Sequence, residues 1–127
     1  MLGDSEATAT LATKDLAAAR EFYQGTLGLK VVKEDEGGIA FEAGKGSHVF
    51  VYPSQFAGSN QATALAFMND GVEGIAEALK NKGVQMEHYD SLPGVKLEGD
   101  IHIMGDLKAI WFKDPDGNIL NVVNMMS

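Results

Sequence analysis

Apolar and polar positions alternate along this chain with two periods, one of two residues and one near that of a helix. Residues 7–13, Ala-Thr-Ala-Thr-Leu-Ala-Thr, alternate as a short strand does, and residues 15–26 then set Leu16, Ala19, Phe22 and Tyr23 at helical spacing. Asp15 is the expected N-cap, and Gly25 and Gly28 supply stop signals. Strands are predicted next over 29–34, 38–43 and 48–52, separated by the turn-forming Gly37-Gly38 and Gly44-Lys45-Gly46.

The second half repeats this order. A strand is predicted over 62–68, and Asp70-Gly71-Val72-Glu73 has the spacing of a capping box. Val72, Ile75, Ala76 and Leu79 then form one helical face that Gly83 ends, and strands follow over 84–89, 108–113 and 119–124. A shift of 56 positions lays Leu11 on Phe67, Leu16 on Val72 and Tyr23 on Leu79. The pattern predicts an α+β chain, a single domain over 1–127, built from two βαβββ modules at about 6–53 and about 62–125. Paired modules of this kind form a curled mixed sheet around a cleft, with helices on the other face. Strand alternation directs Leu11, Leu65, Phe67 and Phe112 to the helices, and Thr8, Thr10, Phe50, Tyr52, Ala64, Met68, Trp111 and Asn121 to the cleft. The connection 91–105 carries three glycines and one proline and reads as a long loop, a candidate flap.

Charge narrows the partners. The net charge of −8 and the absence of any Lys/Arg cluster argue against nucleic acid and against anionic membrane surfaces. They favour a cationic or neutral small molecule. No apolar run approaches the roughly 20 residues of a membrane span, and Met1-Leu2-Gly3-Asp4 does not begin a signal peptide, so a cytoplasmic location is expected. With no cysteine, disulfides, thiolate metal sites and a thiol nucleophile are excluded.

The strongest local motif is Trp111-Phe112-Lys113-Asp114-Pro115-Asp116-Gly117-Asn118-Ile119-Leu120. Asp-Pro-Asp-Gly is a hairpin turn: proline presets φ, and glycine accepts the left-handed geometry that closes it. The spacing of Asp114, Asp116 and Asn118 does not make a calcium loop, because Gly is fourth rather than sixth and Met125 stands where Glu is needed. His48, His88 and His102 form no pair at metal-ligand spacing and read as surface or loop histidines. Glu87, His88, Asp90 and His102 are the residues that a rearranged site near the 90–106 connection would draw on. No Gly-x-Ser-x-Gly elbow, P-loop or dinucleotide fingerprint is present.

A strand ending in Phe-Lys-Asp-Pro-Asp-Gly-Asn, followed by a last strand, resembles the C-terminal signature of the vicinal oxygen chelate family, the glyoxalase/bleomycin-resistance/dioxygenase proteins. Asp15-Leu16…Glu21-Phe22-Tyr23…Leu27-Gly28-Leu29 resembles its N-terminal signature. The resemblance implies the paired-module fold and a homodimer, with the first strand and Asn124-Met125-Met126 at the interface. Metal-dependent members take His, Glu or Gln ligands from the first and last strands of each module. Carried over, those positions fall on Thr8, Ala64, Phe50 and Asn121, which implies no metal and no cofactor. The implied function is a metal-independent small-molecule binder, in the manner of the family's antibiotic-sequestering members. Its cleft residues are Thr8, Thr10, Phe50, Tyr52, Met68, Trp111 and Asn121, with Tyr52 and Trp111 as stacking platforms. The alternative is a glyoxalase-, epimerase- or dioxygenase-like enzyme with a non-standard metal site, or a metal-free lyase or isomerase using Tyr52, His88, Asp90 or His102 as acid or base.

Overall fold

A computed structural model of the chain describes residues 1–124. The chain divides into two compact units, Met1–Gly58 and Ser59–Ser127.

The first unit runs β1 (Ala9–Thr13), α1 (Leu16–Arg20), β2 (Lys30–Asp35), β3 (Gly38–Glu42) and β4 (His48–Pro53), after a short 3₁₀ turn at Leu2–Asp4. Asp15 caps α1 as expected, its Oδ1 accepting the N–H groups of Ala17 and Ala18 at 3.0 and 3.1 Å. The buried Thr13 fixes the approach to that cap, donating its hydroxyl to the Asp15 carbonyl at 3.0 Å. Beyond Arg20 the helix widens into a π-helical turn over Glu21–Thr26, closed by the Leu27 N–H donating to the Phe22 carbonyl at 2.9 Å.

The strands lie in the order β1-β4-β3-β2, with β1 parallel to β4 and the others antiparallel. Leu11 pairs with Val51, Val51 with Ile39, and Val49 with Phe41, so all five side chains share one face. All five are buried, and Ala19 and Tyr23 from the helical segment cover them, with the Tyr23 ring 5.6 Å from that of Phe41. Gly38 opens β3 at φ 147°, where a Cβ would lie 2.5 Å from the Val51 carbonyl oxygen and 2.7 Å from Phe50 Cζ. Only glycine fits there.

The second unit runs β5 (Thr63–Met68), α2 (Val72–Asn81), β6 (Met86–Glu87), β7 (Lys96–Glu98), β8 (Ile101–Met104), β9 (Leu107–Lys113) and β10 (Ile119–Val123). Its order is β5-β10-β9-β8-β7, with β6 also paired to β9 and β5 parallel to β10. One face carries the rows Leu65–Leu120–Phe112–Met86 and Phe67–Val122–Ile110, and α2 packs against β9 through a face of Val72, Ala76 and Leu79. The 56-residue offset holds at the helices, since Leu16 and Val72 are the first residues of α1 and α2, and Tyr23 and Leu79 are both buried.

Three local expectations need correction. The residue preceding α2 is Gly71, with no side-chain cap; Asn69 Oδ1 takes the Gly71 N–H at 2.8 Å, and Glu73 accepts from Lys108 Nζ at 2.8 Å and does not cap Gly71. The strand predicted over 84–89 contracts to Met86–Glu87, because the next available donor, the Tyr89 N–H, is given to the His102 ring at 2.8 Å and not to a neighbouring strand. The long loop of 91–105 instead holds the β7–β8 hairpin. The outer edge of β9 is long enough for two partners: β6 takes Phe112 and Trp111, and β8 takes Ala109, Lys108 and Leu107.

The Asp-Pro-Asp-Gly turn is structural, as read from the sequence. The carboxylate of the buried Asp114 accepts the N–H groups of Asp116 and Asn118 at 3.0 and 2.8 Å and the Asn118 side-chain amide at 2.8 Å, while Gly117 sits at φ 93°. Asn124 ties the end of the sheet, donating its amide to the Asp106 carbonyl at 2.8 Å and accepting the Lys108 N–H at 3.0 Å. Met125 and Met126, the other residues expected at a dimer contact, lie outside the described residues. Among the described residues no helix is long and apolar enough to cross a membrane.

Candidate functional site

Each sheet has a face turned away from its own helix, and the pairing register fixes what stands on it. In the first unit Thr10 pairs with Phe50, Phe50 with Ala40, and Tyr52 with Ala12. The Phe50 and Tyr52 rings are stacked, with centroids 6.3 Å apart and planes 7° from parallel, and Tyr52 is 39% exposed. Thr10, Phe50 and Tyr52 thus come together. Thr8 does not join them: it precedes β1 and is exposed.

In the second unit two cross-strand rows lie side by side. One is Ala66–Asn121–Trp111–Glu87 and the other Met68–Val123–Ala109–His102. Met68, Trp111 and Asn121 are therefore on one face, with Met68 exposed and Asn121 buried. Trp111 donates its indole N–H to Thr63 Oγ1 at 3.0 Å, which reaches past β10 to β5. Asn121 donates its side-chain amide to the Ile110 carbonyl at 3.1 Å.

Around Trp111 stand residues that the sequence reading did not gather. His102 is 2% exposed, which corrects its assignment as a surface or loop histidine. Its ring lies 4.8 Å from that of Trp111 at 85°, and Tyr89 lies 5.6 Å from Trp111, also at 85°. His102 Nε2 accepts the Tyr89 N–H, so in the neutral ring the proton is on Nδ1, and Nδ1 has no hydrogen-bond partner among the described residues. A buried donor without an acceptor calls for a functional or structural reason. The signal was in the strand pattern Ile101-His102-Ile103, which puts a histidine alone on the face opposite two isoleucines.

Beside this cluster, Asp100 lies at the β7–β8 turn with each oxygen engaged. Oδ1 is 2.7 Å from His88 Nε2 and Oδ2 is 2.7 Å from Lys80 Nζ. Lys80 first, then His88, holds the Asp100 carboxyl below its ordinary range, and Asp100 in turn raises the Lys80 ammonium. Burial pushes the Tyr89 phenol up, and the Glu87 carboxylate adds to it. Among the described residues no group of three or more His, Asp and Glu is arranged to hold a metal ion.

A model of the Glyoxalase/Bleomycin resistance protein/Dioxygenase superfamily matches residues 7–122, and the chain belongs to that superfamily. No curated protein matches its sequence. Among solved structures it is similar to FosX, a genomically encoded fosfomycin resistance protein of Listeria monocytogenes, with a TM-score of 0.73, 17% identity, and 97% of this chain and 94% of that chain covered. It is similar to a lactoylglutathione lyase of Agrobacterium tumefaciens, with a TM-score of 0.70, 18% identity, and 95% of this chain and 93% of that chain covered. An integron cassette protein from the mobile metagenome of the Halifax Harbour sewage outfall gives a TM-score of 0.71 at 18% identity, covering 96% and 99%. At these identities the likeness is one of fold.

The metal that the fold family implies does not fit the residues this chain has. Ala64 and Phe50 carry no donor atom, and Thr8 offers only an exposed hydroxyl. Asn121 is buried and donates its amide N–H to the Ile110 carbonyl, which leaves one neutral amide oxygen as the only strand-borne donor of the four positions. Hard divalent ions require several oxygen ligands, and softer ones require imidazole or thiolate.

Proposed function

We propose that this protein binds a planar, cationic or neutral small molecule without a metal, on the sheet faces that carry Thr10, Phe50, Tyr52, Met68, Trp111 and Asn121, with Thr8 just ahead of β1, as a sequestering member of its superfamily. The observation that carries the reading is the chemistry of the four family ligand positions, Thr8, Phe50, Ala64 and Asn121, which supply no carboxylate and no imidazole. The parallel rings of Phe50 and Tyr52 and the partly exposed Trp111 support stacking as the source of affinity. We further propose one domain built of both units, a cytoplasmic location and a homodimer; sedimentation showing a monomer at micromolar concentration would count against the dimer.

The test combines metal analysis with a ligand screen. Dialysed protein is expected to hold no stoichiometric zinc, nickel or iron, and Asn121→Glu alone is not expected to create a tight site. At least one compound from a panel of aromatic and cationic small molecules is expected to change Trp111 emission saturably, and Trp111→Ala to weaken it by roughly 1–3 kcal/mol. One equivalent of metal surviving dialysis would sink the reading.

A second, catalytic reading, a lyase, isomerase or oxidoreductase, is favoured by the pairing of His88 with Asp100 at 2.7 Å, the arrangement of a base and the group that orients it. Mass spectrometry of the panel after incubation separates the two: recovery of every compound unchanged supports the binder, and a new product supports the enzyme.

A further inference from the structure

Glu87 and Trp111 are direct partners in the β6–β9 ladder, so their side chains rise from the same face of the sheet. Tyr89 follows two residues later, and its ring meets that of Trp111 at a right angle. The contact is edge to face, so the two planes form a corner in which one ring covers part of the other's face, and the π face that remains attracts positive charge. The Glu87 side chain is 24% exposed, and its nearest cation, Lys113 Nζ, stands 3.9 Å away, the longest ion pair among the described residues. The carboxylate is therefore not neutralised at contact distance, and its field is felt by the Tyr89 phenol, which it helps raise. Two donors near the rings are already engaged, the indole N–H by Thr63 and the Tyr89 backbone N–H by His102. The corner thus offers ring faces and one carboxylate and, on its buried side 4.8 Å from the Trp111 ring, the His102 imidazole with an Nδ1 unpartnered among the described residues.

We propose that Glu87, Tyr89 and Trp111 form a subsite for an alkylammonium group, quaternary or fully substituted. It rests on the reading of the Trp111 face as ligand-binding and names the chemistry of one end of that ligand. An alkylated cation suits the corner better than a primary ammonium, because it brings apolar surface to the rings and few N–H groups to satisfy. Lys113 occupies the same field and competes with the ligand for Glu87. The net charge of −8 draws cations toward the whole molecule but does not select this corner.

The full chain has one tryptophan, so its emission reports this corner without labelling. The probes are choline and its uncharged carbon isostere, in which a tert-butyl group replaces the trimethylammonium. Choline is expected to bind at least about tenfold more tightly than the isostere. Glu87→Gln is expected to remove most of that difference. Lys113→Ala is expected to tighten choline by about threefold through removal of the competing charge, a gain that a merely destabilised protein would not show. Equal affinity for the two probes, choline affinity unmoved by Glu87→Gln, or weaker binding in Lys113→Ala overturns the proposal. If neutral planar compounds of the wider panel bind while choline does not, the subsite falls and the general binding reading stands. If no compound moves the emission, both fall.

Discussion

The imidazole of His102 accepts the backbone N–H of Tyr89 at 2.8 Å, at the point where β6 leaves the edge of β9 and β8 joins it. The ring does there what a strand carbonyl would otherwise do. His102→Leu leaves that N–H without its acceptor and is expected to cost about 2–3 kcal/mol. His102→Gln, whose side-chain oxygen can accept, is expected to recover part of it. Urea unfolding followed by Trp111 emission measures both; an unchanged midpoint in His102→Leu would show the contact to be idle.

Asp100 makes stability depend on pH at the acid side. Its folded-state pKa is lowered by Lys80 and His88, so its contribution is full above the unfolded value and is lost as pH falls through the lower folded one. Lys80 is raised by the same pair, so its share is full below the unfolded lysine value and is lost as pH rises through the higher folded one. Asp100→Asn is expected to cost up to about 1 kcal/mol at neutral pH. That difference should begin to shrink as pH falls through the ordinary aspartate range and vanish only below the lowered folded value. A difference constant from pH 7 to pH 3 would contradict the assignment.

Gly38→Ala sets a Cβ 2.5 Å from the Val51 carbonyl oxygen, a backbone atom that cannot move without breaking the β3–β4 ladder. A loss of about 2–4 kcal/mol is expected, combining overpacking with a backbone angle that side chains disfavour. Thermal unfolding reads it directly, and a melting temperature equal to that of the natural chain would refute the clash.

Asp114→Ala removes the acceptor of three hydrogen bonds in the β9–β10 turn. The expected cost is about 2–4 kcal/mol, as buried donors lose a charged partner. Asp114→Asn, which keeps one acceptor oxygen in place, is expected to recover part of that loss. An unchanged melting temperature in Asp114→Ala would mean that the turn is held by something other than the Asp114 carboxylate.

Periodicity alone led to the faces of the sheets, because side chains alternate strictly along a strand and Leu11, Phe112 and Trp111 could be sorted without coordinates. The Asp15 cap and the Asp114 turn were legible for a related reason, since both are closed within four residues of sequence. The pairing of β6 and β8 on one edge was not. It depends on Tyr89 and His102, thirteen residues apart, exchanging a hydrogen bond that no local pattern announces. The glycines and proline of 91–105 marked turns correctly but could not say that two short strands lay between them. The same limit hid the corner of Glu87, Tyr89 and Trp111, whose members are joined by a ladder between distant segments.

The hydrogen bond from Trp111 to Thr63 joins β9 to β5 over the intervening strand. Among the described residues β5 is an edge strand, held in the ladder by β10 alone. A ligand that keeps the indole where it is reinforces the seating of β5, whereas one that draws the indole away must release Thr63 and loosen it. Occupancy and strand docking are then two halves of one thermodynamic cycle, and coupling in such a cycle is reciprocal. Thr63→Val, which keeps the shape and removes the acceptor, should therefore alter the affinity of any compound sensed by Trp111, in the direction that tells which kind of ligand it is.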